Sequence, residues 1–205
     1  MLVLRLVPES IDHIKELLAT HGAPSSDYDL NPEIKLPADR KLRQAAVLVP
    51  IIEQHGALHV ILTMRSSALK HHPGQIAFPG GKLDESDMSL EDTALREANE
   101  EIGLPRDVVN VLGQLPTHET VTGFNVTPMI GHVTKHFEVL PEPGEVAEVF
   151  YVPLSFLTNA QNFQIEHRRW RGKKRYYYTI PYGPYYIWGA TARMLKMLSD
   201  TMART

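Results

Sequence analysis

The chain has 205 residues, no cysteine, and a formal net charge of −3 from 21 basic and 24 acidic residues. This length suits one domain with a short appendage, and the lack of cysteine excludes a disulfide framework, a thiolate zinc site and a cysteine nucleophile. The near balance of charge provides no long-range field for nucleic acid or an anionic membrane, so we expect neither partner. No apolar run approaches the ~18 residues of a membrane span. Glu9 and Asp12 interrupt the first apolar residues before a secretory signal is complete, which favours a cytoplasmic location.

The first forty residues are predicted to form an extension. Apolar residues within 9–21 recur at helical spacing and predict a helix. Residues 22–40 are rich in Pro, Ser, Asp and Asn, which indicates a linker. We therefore divide the chain into residues 1–40, an N-terminal helix and linker, residues 41–198, the main domain, and residues 199–205, a C-terminal tail.

Short apolar runs predict strands in the main domain. Ala45–Ile52 and His59–Met64 are separated by a turn at Glu53–Gly56 and form a predicted hairpin. The later predicted strands are Val108–Leu112, Val126–Val133, Val146–Val152, Phe163–Glu166 and Tyr176–Ile180, the last two around a basic turn at Gly172, and a final helix is predicted at Thr191–Leu198. Strands mixed with a few helices indicate an α/β or α+β sandwich.

A helix is predicted from Leu90 to Ile102. Ser89 is a suitable N-cap, and Asp92 three residues later resembles a capping box. Gly103 ends the helix.

This helix carries a cluster of acids. Glu97, Glu100 and Glu101 lie at positions i, i+3 and i+4 and so share one face. Carboxylates that repel one another in this way suit Mg²⁺ or Mn²⁺, although a solvated acidic face has the same pattern. Arg96 can pair with Glu100, and the preceding Gly80–Gly81 pair lets backbone approach a ligand closely.

The stretch from Gly81 to Leu104 resembles the signature of the Nudix hydrolases. That signature runs Gly, five residues, Glu, seven residues, Arg-Glu, an aliphatic residue, any residue, Glu-Glu, any residue, Gly and an aliphatic residue. Here Asp87 stands where Glu is usual, one extra residue precedes Arg96, and Ala98 occupies the aliphatic position. The part from Arg96 to Leu104 is otherwise intact.

The resemblance implies a Nudix-type α/β/α sandwich with a mixed central sheet and metal-dependent hydrolysis of a diphosphate linked to another group. By matching position, Glu97 and Glu101 would be the leading metal ligands, Glu100 a further ligand, and the Gly80 carbonyl another. Arg96 belongs to the same catalytic set. Mg²⁺ or Mn²⁺ would neutralise the diphosphate oxygens and acidify the attacking water.

The preceding stretch, Leu62–Gly81, resembles an additional signature of the coenzyme A pyrophosphatase branch. That signature runs Leu-Leu-Thr, any residue, Arg, Ser or Ala, three residues, Arg, three residues, Gly, three residues and Phe-Pro-Gly-Gly. Arg65, Ser66 and Gly74 match, and Lys70 replaces the second Arg. The resemblance implies hydrolysis of coenzyme A, and of acyl or oxidised CoA, to 3′,5′-ADP and 4′-phosphopantetheine or its derivative, with these four residues binding substrate. It also admits a homodimer.

Three acids outside the signature are candidates for a general base or further ligand: Glu119, Glu145 and Glu148. Each has an equally good interpretation as an exposed carboxylate. The basic block 168–175 can meet the 3′-phosphate of CoA, but a plain hairpin tip or dimer edge is the favoured interpretation.

Two other functions fit the same residues. A broader nucleoside-diphosphate hydrolase acting on ADP-ribose or NADH would share the acidic helix, and the replacement at Lys70 keeps it open. A non-catalytic nucleotide-binding module is disfavoured because Glu97, Glu100 and Glu101 are all present.

Overall fold

The structure, a computed structural model, describes residues 10–19, 22–37, 39–170 and 172–203. The helices are α1 (Ile11–Leu18), α2 (Leu90–Ile102), α3 (Leu154–Thr158) and α4 (Gly189–Met202), with 3₁₀ turns at Arg106–Val108 and Ala160–Asn162. The strands are β1 (Ser25–Ser26), β2 (Arg43–Gln54), β3 (Ala57–Arg65), β4 (Ile76–Ala77), β5 (Gly80–Lys82), β6 (Val109–Gln114), β7 (His118–Glu119), β8 (Phe124–Val133), β9 (Val146–Pro153), β10 (Gln164–Trp170), β11 (Lys173–Tyr182) and β12 (Tyr185–Trp188).

Nine of these strands form one mixed sheet. Its main path is β1-β7-β8-β2-β3-β4, while β5 pairs with β2, β6 with β8 and β9 with β3. The β1–β7 and β2–β8 pairs are parallel and the others antiparallel. The last three strands form a separate antiparallel sheet in the order β10-β11-β12.

Apolar side chains on the two faces of the main sheet line two cores. On β2, Val49 and Ile51 belong to a core shared with α1, α3 and α4. Ala46 and Leu48 belong to the other core, which contains the buried side of α2. Successive side chains of a strand point to opposite faces, so the pattern of β2 places helices on both sides of the sheet. The result is the expected α/β/α sandwich with a mixed central sheet.

Helix α2 begins and ends where the sequence predicts. The Ser89 hydroxyl accepts from the N–H of Asp92 at 3.1 Å, and Gly103 ends the helix with φ 71°. Only half of the capping box forms, because the Asp92 carboxylate accepts from the N–H of Met88 rather than that of Ser89. Ala98 is fully buried, so its small side chain lets α2 pack closely on the sheet.

Other predicted boundaries shift. Val108 lies in a 3₁₀ turn rather than a strand, and both strands of the hairpin around Gly172 are longer than predicted. The last helix runs to Met202, and Ser199 and Thr201 are buried in it, so the segment predicted as a tail begins inside a helix.

The N-terminal segment is more ordered than a linker. The predicted helix is observed over Ile11–Leu18, and residues 9, 20 and 21 lie outside the described residues. The predicted linker contains β1, which pairs with β7 in the main sheet. Asn31 is fully buried, and its side-chain amide exchanges hydrogen bonds of 2.8 and 2.9 Å with the backbone of Tyr176 on β11. The polar residues of the predicted linker therefore anchor it to both sheets.

Within the described residues, no helix combines the length and the apolar character that a membrane crossing requires.

Candidate active site

Two glycines bring helix α2 against strand β5. A Cβ atom built on Gly80 would lie 2.5 Å from the carbonyl oxygen of Ala46 on β2. A Cβ atom built on Gly81 would lie 2.2 Å from Oε1 of Glu97. Side chains cannot approach so closely, so glycine is required for the Glu97 carboxylate to lie on this strand.

Arg96 organises the carboxylates around it. Its Nε and Nη2 donate to the two oxygens of Asp87 at 2.8 and 2.9 Å. Its Nη1 donates to Glu97 at 3.0 Å and to Glu100 at 2.9 Å. The Asp87 side chain is 2 % exposed and also accepts from the Thr93 hydroxyl at 2.8 Å. The Arg96 guanidinium consequently holds the pKa of Asp87 well below the usual carboxyl range.

Asp87 is the member of this network to which sequence reasoning assigned no role. It has a shorter side chain than the Glu of the family signature, and it lies nine residues before Arg96. The available signal was its position two residues before the Ser89 cap of the helix that carries Arg96. The structure shows that Asp makes the bidentate contact despite the extra residue.

Beneath this network, Glu101 is buried and Glu97 is half-buried, and the two carboxylates repel each other. Glu101 is 5 % exposed, and burial, with the nearby Glu97 carboxylate as the next cause, raises its pKa to about 8. The positive charge of Arg65 acts in the opposite direction. Burial also raises the pKa of Glu97. Two carboxylates that resist ionisation together are stabilised by a nearby cation.

The donor set fits a hard divalent cation. Among the residues that the structure describes, no three His, Cys, Asp or Glu side chains are arranged to hold an ion between them. Mg²⁺ is usually bound by one or two carboxylates together with waters and substrate phosphates, rather than by a complete protein cage. Glu97 and Glu101, beside the open backbone of Gly80 and Gly81, supply such a partial site.

The predicted acids outside the helix have different surroundings. Glu145 is exposed and lies near enough to Glu97 and Glu101 to raise the pKa of each. Glu148 accepts a 2.6 Å hydrogen bond from the Tyr185 hydroxyl. Glu119 forms a bidentate ion pair with an arginine on the surface. Of these three acids, Glu145 is the one whose charge is, after burial, among the leading causes of the raised pKa of Glu97 and Glu101. Glu100, 57 % exposed in its side chain, is held by Arg96.

A cleft of about 270 Å³ opens between the main sheet and the small sheet, with Gly80 in its wall. Arg65, predicted to bind substrate, lines it. The Nε atom of Arg65 is buried and has no hydrogen-bond partner among the described residues. A buried N–H without a partner is costly, and an anionic ligand would satisfy it.

The other residues predicted to bind substrate shape the loop that carries Arg65. The Gly74 N–H donates to the Arg65 carbonyl at 3.0 Å, and its φ of 68° favours glycine. The Ser66 N–H donates to the Glu145 carbonyl at 2.8 Å, which ties this loop to the start of β9. Lys70 is exposed, and none of Ser66, Lys70 and Gly74 is among the described residues lining the cleft.

The opposite wall of the cleft comes from the basic hairpin. Arg168 and Arg175 both line it. The Arg168 guanidinium lies 4.6 Å from the ring centroid of Trp188, and that of Arg175 lies 5.2 Å from the ring centroid of Tyr28. Arg171, in the same predicted basic block, lies outside the described residues. Sequence reasoning favoured a plain hairpin tip or dimer edge here. The contacts with Trp188 and Tyr28 join distant parts of the chain, so the local sequence does not reveal them.

Comparison with known families gives a match to the NUDIX domain over residues 42–172. The chain is 42 % identical over 159 residues to the uncharacterized Nudix hydrolase NudL of Enterobacter sp. (strain 638), covering 77 % of this chain and 81 % of that protein. It is 40 % identical over 181 residues to the uncharacterized NudL of Pectobacterium atrosepticum, covering 85 % and 92 % of the two chains.

Solved structures resemble the chain more distantly. The Nudix hydrolase RenU of M. smegmatis aligns with a TM-score of 0.44 and 25 % identity over 56 % of this chain and 73 % of that chain. The NUDIX domain of Shewanella oneidensis NrtR, crystallised with ADP ribose, aligns with a TM-score of 0.46 and 21 % identity over 63 % and 82 %.

Proposed function

The chain belongs to the Nudix family, whose hydrolases act on pyrophosphate bonds, and we propose that its substrate is coenzyme A. Water cleaves the diphosphate and releases 3′,5′-ADP and 4′-phosphopantetheine. Acyl or oxidised CoA is accepted as well, because the thiol end lies far from the bond that breaks.

The observation that carries this proposal is the position of Arg65. This residue belongs to the stretch that resembles the coenzyme A pyrophosphatase signature, and it lines the cleft with a buried Nε that has no described partner. It is also close enough to lower the pKa of Glu101. Arg65 is thus positioned to donate to a diphosphate oxygen beside the acidic helix.

The proposed roles of the residues follow from their contacts. Nudix hydrolases use divalent metal ions, and Mg²⁺ or Mn²⁺, when bound, supplies positive charge to the diphosphate and lowers the pKa of water. Glu97 and Glu101, with the Gly80 carbonyl, hold that ion. Arg96 keeps Glu97 and Glu100 oriented, with Glu100 as a further ligand or orienting group. Glu145 accepts the proton of the attacking water, with Glu148 as the alternative base.

One observation favours a broader substrate range. Lys70, which replaces the second arginine of the CoA signature, is exposed on its loop. If Lys70 does not contact substrate, other nucleoside diphosphate derivatives such as ADP-ribose or NADH fit the same chemistry. The cytoplasmic location and the homodimer stay predictions.

The test is hydrolysis of CoA and of ADP-ribose, measured side by side with Mg²⁺ and with Mn²⁺, with products separated by chromatography. We expect 3′,5′-ADP to form from CoA at a rate well above ADP-ribose cleavage. Faster cleavage of ADP-ribose would contradict the CoA assignment while leaving the role of Glu97 and Glu101 intact.

A further inference from the structure

The basic hairpin places two arginines directly opposite each other. Arg168 on β10 is in register with Arg175 on β11. Like charges at directly opposed positions destabilise a pair of strands. Contacts with the rings of Trp188 and Tyr28 offset part of this repulsion. Arg169 and Lys174 are opposed in the same way, and what distinguishes Arg168 and Arg175 is that both line the cleft.

Arg175 also carries an unsatisfied donor. Its Nη2 atom is buried and has no hydrogen-bond partner within the described parts of the chain. Both Arg175 and Arg168 line the cleft that contains Gly80 and Arg65. A buried guanidinium N–H without an acceptor is costly, so an acceptor delivered by a ligand in the cleft would stabilise it.

Among the described residues that line the cleft, three arginines dominate its charge: Arg65, Arg168 and Arg175. Asp27 also lines it, but its two carboxylate oxygens are engaged by His118, at 3.3 Å, and by the N–H of Val121, at 2.9 Å. Burial, and then the positive charge of Arg65, lowers the pKa of His72, so this side chain adds little positive charge at neutral pH. The cleft is cationic on the hairpin side, and Gly80 in its lining adjoins Gly81, against which the Glu97 carboxylate lies.

The two ends of the cleft belong to different sheets. Gly80 lies on β5 of the main sheet beside the acidic helix, where the diphosphate is cleaved. Arg168 and Arg175 lie on the small sheet, which forms the far wall. Paired arginines are suited to a compact dianion such as a phosphomonoester.

We propose that Arg168 and Arg175 form a subsite for a phosphomonoester of the substrate, a phosphate separate from the diphosphate that is cleaved. The proposal rests on the proposed function and narrows it, because the favoured substrates then carry a third phosphate on the nucleoside. In coenzyme A this group is the 3′-phosphate. The hairpin thereby determines specificity, while α2 carries out the hydrolysis.

The experiment compares two substrates that differ by this phosphate alone, CoA and 3′-dephospho-CoA. We expect the wild-type chain to prefer CoA by roughly tenfold or more in kcat/KM, the effect of a charge-assisted contact. In Arg168→Gln/Arg175→Gln the preference falls toward one, through a higher KM for CoA rather than a lower kcat. An unchanged preference in this variant would overturn the proposal.

The neighbouring cross-strand pair provides a matched control. Arg169 and Lys174 are also directly opposite each other, are exposed, and alternate to the other face of the hairpin. Arg169→Gln/Lys174→Gln removes the same charge and should keep the preference for CoA. The single variant Arg175→Lys, which keeps the charge but loses the bidentate geometry, should retain part of it. Thermal melts of all variants report whether the hairpin still folds.

A binding measurement separates this inference from the proposed function. If neither substrate is cleaved, the proposed function fails, and calorimetry of adenosine 3′,5′-bisphosphate against adenosine 5′-monophosphate still tests the subsite. Tighter binding of the bisphosphate, lost in Arg168→Gln/Arg175→Gln, supports the subsite. Equal binding of the two nucleotides overturns it.

Discussion

The acidic helix and the basic hairpin hold their arginines in opposite ways. Around helix α2, Arg96 is surrounded by the carboxylates of Asp87, Glu97 and Glu100, so its charge is compensated within the protein. On the hairpin, Arg168 faces Arg175 across the sheet, and a buried donor of Arg175 has no described partner. Arg96 is thus held in place by protein carboxylates, whereas the hairpin leaves a buried donor for the ligand that we propose.

The largest effect that we expect is from the loss of a single carboxylate on helix α2. Glu101→Gln should lower kcat by roughly a hundredfold or more, since it removes a proposed ligand of the catalytic cation. The measurement is CoA hydrolysis at saturating Mg²⁺. Glu91→Gln, an exposed acid in the first turn of the same helix, should retain activity. Full activity in Glu101→Gln would remove this residue from the metal site.

A substitution at Gly81 tests whether the Glu97 carboxylate must keep its position against strand β5. Gly81→Ala places a Cβ against the Glu97 carboxylate and should lower kcat by roughly tenfold or more. Gly144→Ala is the matched control, because its Cβ would meet nothing closer than 3.4 Å. Equal activity of the two variants would show that Glu97 tolerates displacement.

Loss of the buried partner of Arg96 should have a somewhat smaller effect on catalysis. Asp87→Asn leaves Arg96 with weaker support, and we expect about a tenfold fall in kcat and about 1–3 kcal/mol less stability. The pKa of Asp87 is lowered in the folded chain, so its stabilising effect is present above the ordinary carboxyl pKa and is lost as the pH falls through the folded value. CoA hydrolysis measures the fall in kcat. Urea unfolding at neutral and acidic pH measures the loss of stability and its dependence on pH, and identical unfolding curves for wild type and variant would contradict that loss.

Substitutions of Glu145 and Glu148, the acids outside helix α2, should lower kcat by different but modest factors. Glu145→Gln should lower kcat by roughly tenfold or less, and Glu148→Gln by a smaller factor, because the charge of Glu145 acts on Glu97 and Glu101 whereas Glu148 is hydrogen-bonded to the Tyr185 hydroxyl. Their pH–rate profiles distinguish a base from a positioning residue. A larger loss in the Glu148 variant would reverse the assignment.

The smallest predicted effect is on stability in the absence of metal. The pKa of Glu101 is raised from 4.5 to about 8, so between these values the folded chain keeps a proton that the unfolded chain has released. Stability with a chelator should therefore fall as the pH rises from 5 to 8, on the order of a kilocalorie per mole or more. Mg²⁺ or Glu101→Gln should reduce the fall in Tm, and the same slope in all three samples would argue against it.

Sequence reasoning succeeded where the interacting residues are close together in the chain. The bounds of α2, its Ser89 cap and its Gly103 end follow from local hydrogen bonding and from a left-handed turn. The pairing of Arg96 with Glu100 follows from i, i+4 spacing. These features need no knowledge of the rest of the molecule.

It failed where distant segments determine the environment. The contact of Arg168 with Trp188 and that of Arg175 with Tyr28 depend on how the two sheets approach each other. The ordering of the N-terminal segment depends on pairing with β7, which composition rich in Pro and Ser does not reveal. Charge alone does not reveal that Arg168 and Arg175 line the cleft.

The buried amide of Asn31 joins the N-terminal segment to the basic hairpin. It bonds the backbone of Tyr176, the residue next to Arg175, yet it lies before the NUDIX match that starts at residue 42. A segment that precedes the NUDIX match is thus hydrogen-bonded beside the phosphate subsite that we propose. A substitution at Asn31 should therefore alter substrate choice from a position far in the sequence from the acids of α2.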